Sequence, residues 1–148
     1  MEDKYDTLKL KNQLCFPIYL CSKEIIRKYT PLLEELNLTY TQYIVMMYFW
    51  EKKSSNVKEI SKTLLLDSGT LTPLLKKLES KGYVTRERSL SDERNLEITI
   101  TDKGEKLKER ALDIPKKIGR CLDLNEEEVK TLYMLIYKVL LNVEREEE

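Results

Sequence analysis

The sequence predicts a mainly α-helical chain carrying one small β wing, and three observations lead there. Apolar residues recur at three- and four-residue spacing along most of the 148 positions, only four Gly and four Pro interrupt them, and strict alternation is clearest at Leu96, Ile98 and Ile100. Hydrophobic residues make up 41%, which fills one core and leaves little for a second, so 1–148 reads as a single domain.

The elements follow in order. Leu14, Ile18, Cys21 and Ile25 lie at helical spacing, predicting a first helix from about residue 3 to Tyr29, kinked at Pro17 and ended by Thr30-Pro31. A short helix over Pro31 to Leu36 comes next. Thr39 and Gln42 form a capping box that opens a helix through TQYIVMMYFWEK, and its stretch from Tyr43 to Trp50 is apolar nearly all round, hence buried on most sides. Val57, Ile60 and Leu64 stripe a short helix, and Leu71, Leu74, Leu75 and Leu78 stripe another, with Asp67 and Ser68 as cap candidates between them. That is the pattern of a helix-turn-helix. Its second helix has two open registers, one starting at Ser68 with Pro73 inside, the other capped by Thr72 with Pro73 first.

Gly82 sits where a helix-terminating glycine belongs, and YVTRER, the turn-rich SLSDERN and the alternating strand make a hairpin. Residues of about 40–101 therefore read as a winged helix-turn-helix. Asp102 with Glu105 is expected to cap a helix striped by Leu107, Ala111 and Ile114 and bent or broken at Pro115. Asn125 with Glu128 opens the last helix, where Val129, Leu132, Tyr133, Ile136, Val139, Leu140 and Val143 hold an apolar face. The terminal helices, about 3–29 and 102–147, expose more apolar surface than the small reader can cover. They are expected to form a homodimer core that sets two recognition helices one DNA turn apart.

Several function classes fall away. There is no His, which removes Ser-His and Cys-His nucleophiles, imidazole metal ligands and a neutral-pH acid or base, so no enzyme, metal or cofactor is expected. Cys15, Cys21 and Cys121 are an odd number at irregular spacing and are expected to start as thiols. The N-terminal MEDKYDTLKLKNQ is too polar for a secretory signal, and no apolar run reaches the roughly eighteen residues of a membrane span; the expected location is the cytoplasm. Lys and Arg total 26 against 26 Asp and Glu, so the overall field gives nucleic acid no help and any contact must come from local placement.

Local placement does supply one. On SGTLTPLLKKLE the apolar face leaves Ser68, Thr70, Thr72, Lys76 and Lys77 outward, able to meet base edges and phosphates. In the wing, Arg86, Arg88 and Arg94 can approach phosphates or enter a minor groove, and Asp92 can hold the Arg94 guanidinium. Taken alone, SDER is more simply a solvated turn; directly after a helix-turn-helix, the DNA role is the better reading.

With those residues in place the chain resembles the multiple antibiotic resistance regulator (MarR) family over nearly its whole length. Asp92 and Arg94 match that family's D-x-R wing, and Thr101 to Gly104 its T-D-x-G helix entry. Within the family, LCFPIYLCSKEI, YTPLLEELNLTYTQYIVMMYFWE, LDSGTLTPLLKKLE and Ile114-Pro115 resemble the organic hydroperoxide resistance regulators. The resemblance implies that Cys15 reacts with peroxide and that Tyr29 and Tyr40 of the other subunit hold its thiolate. A free thiol titrates near pH ~8.5, so Cys15 needs such donors, and without His, tyrosine hydroxyls are suitable ones. Cys15 and Tyr29 stand roughly 21 Å apart along a continuous helix and cannot meet within it. Cys121 resembles the resolving cysteine of two-cysteine members, paired across the dimer, with a low-molecular-weight thiol as the alternative. Cys21 takes no role from the pattern, and its six-residue offset from Cys15, about 9 Å of rise, is too long for a direct bridge.

The expected function is thus a repressor on a palindromic double-stranded operator that lets go when an organic hydroperoxide oxidises Cys15. Three rivals stand beside it: a family regulator answering a small phenolic or lipophilic ligand, a thiol peroxidase, and a winged helix that binds no DNA.

Overall fold

The computed structural model describes residues 4–88 and 96–145, which fall into two compact units, Met1–Ile114 and Pro115–Glu148. In the first unit two 3-10 turns, Asp6–Leu8 and Leu10–Asn12, lead into α1, Cys15–Glu34. The helix therefore starts later than the periodicity predicts. Pro17 falls in its first turn, where an N–H has no intrahelical partner, so it starts the helix instead of kinking it.

Nor does Thr30-Pro31 end α1. Pro31 lies inside it, and the separate helix expected over Pro31 to Leu36 is its last turn. So close to an end, proline removes one hydrogen bond while Leu33, Leu36 and Leu38 bury themselves and anchor the turn. Closure is a Schellman pattern: Asn37 takes φ +55°, its N–H donates to the Glu34 carbonyl at 2.9 Å, and the Leu38 N–H donates to Leu33 at 3.0 Å.

Helix α2, Tyr40–Lys52, opens with the expected box: the Gln42 N–H donates to Thr39 Oγ1 at 3.3 Å and the Thr39 N–H to Gln42 Oε1 at 3.2 Å. It runs through the core, with Tyr43, Val45, Met46, Phe49 and Trp50 buried. Strand β1, Ser54–Asn56, is followed by α3, Val57–Leu64, capped by Asn56, and by α4, Ser68–Ser80. Leu71, Leu74, Leu75 and Leu78 of α4 are all 7% exposed or less, and α4 packs against α2, α3 and the strand that follows it, where Phe49, Ile60 and Val84 are fully buried too. Gly82, at φ +76°, closes α4 with a second Schellman pattern, Gly82 N–H to Glu79 at 2.8 Å and Tyr83 N–H to Leu78 at 3.0 Å.

Strands β2, Val84–Arg88, and β3, Leu96–Ile100, pair antiparallel with Val84 opposite Ile100 and Arg88 opposite Leu96. The sheet has a third member the sequence did not announce. β1 pairs with the other edge of β3, Ser55 opposite Ile98, giving the order β1-β3-β2. Its three residues are too short and polar to alternate visibly; the ladder comes from the tertiary approach of β3.

Helix α5, Asp102–Ala111, is capped one residue earlier than expected, by Thr101, whose Oγ1 accepts the Gly104 N–H at 3.1 Å. Asp102 becomes the first helical residue, and Glu105 pairs with Lys53. The same Thr101 hydroxyl donates to the Gly82 carbonyl at 2.6 Å, which ties the end of α4 to the start of α5. Gly104 is required there: a Cβ would lie 2.3 Å from the Tyr83 carbonyl oxygen and 2.8 Å from Ile100 Cγ1, while the Gly104 carbonyl accepts Trp50 Nε1–H at 2.9 Å.

Helix α6, Ile114–Leu122, begins after a break at Leu112–Asp113, so Pro115 sits in its first turn. Within the second unit, α7, Glu126–Arg145, starts with the expected pair: Asn125 N–H to Glu128 Oε2 at 2.9 Å and Glu128 N–H to Asn125 Oδ1 at 3.0 Å. Its predicted apolar positions are 38 to 61% exposed, and Met134, Leu135, Tyr137 and Leu141 are exposed as well, so the apolar surface is wider than one face. Among the described residues no helix is long and apolar enough to cross a membrane, and no His/Cys/Asp/Glu cluster is arranged to hold a metal.

Candidate nucleic-acid interface and thiol site

The buried leucines of α4 fix which way it faces. Ser68, Thr70, Thr72, Lys76 and Lys77 are all exposed, and the open register is settled in favour of a start at Ser68 with Pro73 inside. Asp67 is the cap. Its Oδ1 accepts the Thr70 N–H at 2.8 Å and its Oδ2 accepts the Thr70 hydroxyl at 2.7 Å, and these two bonds hold the carboxyl below its ordinary range. The sequence offered Asp67 as a cap; the second bond, side chain to side chain, had no signal in it.

The two arginines of β2 differ. Arg86 is half-buried and committed to Glu79 near the end of α4, Nε donating at 2.8 Å and Nη2 standing 2.7 Å from the same Oε2. In this chain it braces the wing against the recognition helix, whereas Arg88 is exposed. Asp92 and Arg94, the wing-tip candidates, lie outside the described residues.

Cys15 is exposed and is the first residue of α1, where first-turn N–H groups point outward and negative charge is favoured. Tyr29 lies fourteen residues along the same helix, roughly 21 Å away along the axis, so one chain does not bring the two together. What the chain does bring together is tyrosines. Tyr29 and Tyr40 have ring centroids 4.8 Å apart, and Tyr43, which the sequence placed only in an apolar stretch, stands 6.0 Å from Tyr29. The Y-x-x-Y spacing of Tyr40 and Tyr43 was the available signal. Burial, and after it the neighbouring Tyr40, pushes the Tyr29 phenol up; burial does the same to Tyr43, with Tyr29 and Tyr40 adding to it. Those two hydroxyls stay protonated and can donate at neutral pH. Cys21 is exposed on α1, and Cys121 is exposed near the end of α6 in the second unit.

The loop between the tyrosines is tied to the reader. Lys81, which caps the end of α4, donates to the Asn37 carbonyl at 2.7 Å and to Gln42 Oε1 at 2.9 Å; the Tyr83 hydroxyl donates to Leu36, and Arg110 to Glu35. Burial, and then Lys77, pulls the Lys81 ammonium down. Lys81 and Tyr83, from the turn between α4 and β2, and Arg110 of α5 thus hold the consecutive carbonyls of Asn37, Leu36 and Glu35 between Tyr29 and Tyr40.

Known proteins resemble this chain in sequence and in fold. The family model "Transcriptional regulator SarA/Rot" matches residues 27–111. The chain is 46% identical to the organic hydroperoxide resistance transcriptional regulator of Bacillus subtilis over 95% of both chains, and 51% identical to the HTH-type transcriptional regulator SarZ of Staphylococcus saprophyticus over 86% of both. Among solved structures, reduced AbfR bound to DNA superposes with a TM-score of 0.78 at 36% identity, covering 95% of this chain and 99% of that one. Overoxidised AbfR bound to DNA gives 0.77 at 35% over 95% and 99%, and disulfide-formed AbfR 0.65 at 39% over 90% and 96%. The chain belongs to the MarR-like transcriptional regulators, of the organic hydroperoxide resistance regulator type.

Proposed function

We propose that this regulator is a homodimeric repressor that binds a palindromic operator while Cys15 is reduced and releases it when an organic hydroperoxide oxidises that sulfur. The observation that carries the reading is Cys15 itself: an exposed thiol on the first turn of α1, in a chain 46% identical to a regulator named for organic hydroperoxide resistance.

The chemistry is stoichiometric. The Cys15 thiolate attacks one peroxide oxygen, the O–O bond breaks, and the organic half leaves as an alcohol after taking a proton, giving a sulfenic acid. A second thiol then displaces water and forms a disulfide. Cys121 of the other subunit is our candidate for it, with a low-molecular-weight thiol as the competing partner. The relative AbfR is DNA-bound both reduced and overoxidised, which favours a disulfide, and not oxygen added to the sulfur alone, as the form that lets go. Tyr29 and Tyr40 would donate to the partner's thiolate, and the Lys81, Tyr83 and Arg110 ties would pass a change at those rings to α4. The exposed residues of α7 and of the N-terminal segment Leu8 to Leu20 supply apolar surface for the second copy.

The test is duplex binding to a palindromic promoter fragment, with and without cumene hydroperoxide, in the wild type and Cys15→Ser. The wild type should lose the duplex at about one equivalent of peroxide, and C15S should keep it. Release of C15S by the same peroxide would overturn the redox reading. Peroxide consumption should stop at the thiol equivalents present, without turnover.

A further inference from the structure

We infer that Asp67 is a positioning residue that fixes the polarity of the Thr70 hydroxyl, so that Thr70 reads an amino group, on adenine or cytosine, and not a keto oxygen. The inference rests on the DNA-binding reading above and says which base chemistry one residue of that interface selects.

A threonine hydroxyl ordinarily rotates to donate or to accept, which is why serine and threonine are poor discriminators of bases. Here that freedom is gone. Thr70 Oγ1 stands 2.7 Å from Asp67 Oδ2, and a carboxylate has only acceptors, so the single hydroxyl proton lies in that bond. What Thr70 turns outward is lone pairs and a methyl group. Thr70 is exposed in the first turn of α4, the part of a recognition helix that meets base edges.

In the major groove, adenine N6 and cytosine N4 are donors, while guanine O6 and thymine O4 are acceptors. A fixed acceptor therefore favours A or C on the strand it faces and leaves a keto oxygen lone pair against lone pair. Capping alone does not explain the arrangement. The cap needs only the Thr70 N–H bond to Oδ1 at 2.8 Å; the bond to Oδ2 is additional. Gly69 helps the carboxylate fold back over the first turn, since a Cβ at that position would come within 3.0 Å of Oδ1.

The experiment selects random-sequence duplexes on the reduced, full-length protein and sequences the bound fraction, for the wild type, Thr70→Val, Thr70→Ser and Asp67→Asn. Asparagine caps helices as well as aspartate does, and it keeps an oxygen for the Thr70 N–H. Its amide nitrogen would donate to Thr70 Oγ1 and turn the hydroxyl proton outward. At one position per half-site the wild type should prefer A or C on one strand by about tenfold, the worth of one hydrogen bond. T70S should keep that preference and T70V should lose it, the rest of the motif unchanged, while D67N should shift the position toward G or T. A stability role would weaken all positions alike and reverse none. If the wild type enriches a motif that T70V and D67N reproduce at every position, the inference fails alone; if the wild type enriches none, the DNA-binding reading fails and takes it along.

Discussion

Two helices with similar apolar patterns end in opposite surroundings. The leucines of α4 are buried against α2, α3 and the sheet, whereas α7 leaves more than a third of each apolar side chain from Val129 to Val143 in solvent. Periodicity reports that a helix has a face to bury; it does not report where the covering surface comes from. For α4 the partner is within its own unit. For α7 no such cover comes from the described residues, and the proposed second copy of the chain is what would provide it.

That contrast can be broken by two substitutions, beginning with the larger effect. Phe49 is fully buried, and Phe49→Ala should cost about 3–5 kcal/mol, read as a lower urea midpoint with the mass in sedimentation unchanged. Ile136→Glu places a charge on the bare side of α7 and should instead move the sedimenting species from two chains to one. If I136E sediments like the wild type, α7 is not covered by a second copy and the comparison fails.

Two glycines sharpen it further. Gly104→Ala pushes a Cβ into the Tyr83 carbonyl and should lose about 2–3 kcal/mol, because the Tyr83 backbone cannot swing aside as a flexible side chain could. Gly119, inside α6, has nothing within 4 Å of its Cβ position, and Gly119→Ala should gain about 0.5–1 kcal/mol from helix propensity. Thermal melts of both variants give the signs; the same sign for both would mean the local surroundings do not decide the outcome.

Gly104 also shows how far the sequence could be read. Its place in T-D-x-G marked a helix entry, and the Thr39 and Asn125 boxes, the Gly82 terminus and the Leu96 to Ile100 alternation all formed where local pattern put them, because each is decided by residues a few positions apart. The misplaced features were decided farther away. Whether Pro31 ends α1 depends on Leu33, Leu36 and Leu38 finding a core; β1 exists because β3 approaches it; Thr101 displaces Asp102 as cap because its hydroxyl also reaches Gly82. The thiol site was legible in a similar proportion. Tyr29 and Tyr40 do come together, but the loop ties of Lys81, Tyr83 and Arg110 join residues from 39 to 75 positions apart and leave no pattern.

The smallest expected effect tests the Asp67 cap that the further inference uses. Its carboxyl is held below the ordinary value of 3.8, chiefly by the Thr70 hydroxyl and then by the Thr70 N–H. A carboxyl with a depressed folded-state value contributes stability that is fully present above its unfolded value, and that contribution is lost as pH falls through the folded one. The amide that Asp67→Asn introduces caps the helix without titrating. Melting temperatures followed from about pH 6 to about pH 2 should therefore show the wild-type curve falling more steeply than that of D67N below pH ~4, with the two curves parallel above it. Curves that stay parallel through the acid limb would mean that the exposed cap carries no linked proton, and that the two bonds to Thr70 do not outcompete water for the carboxylate.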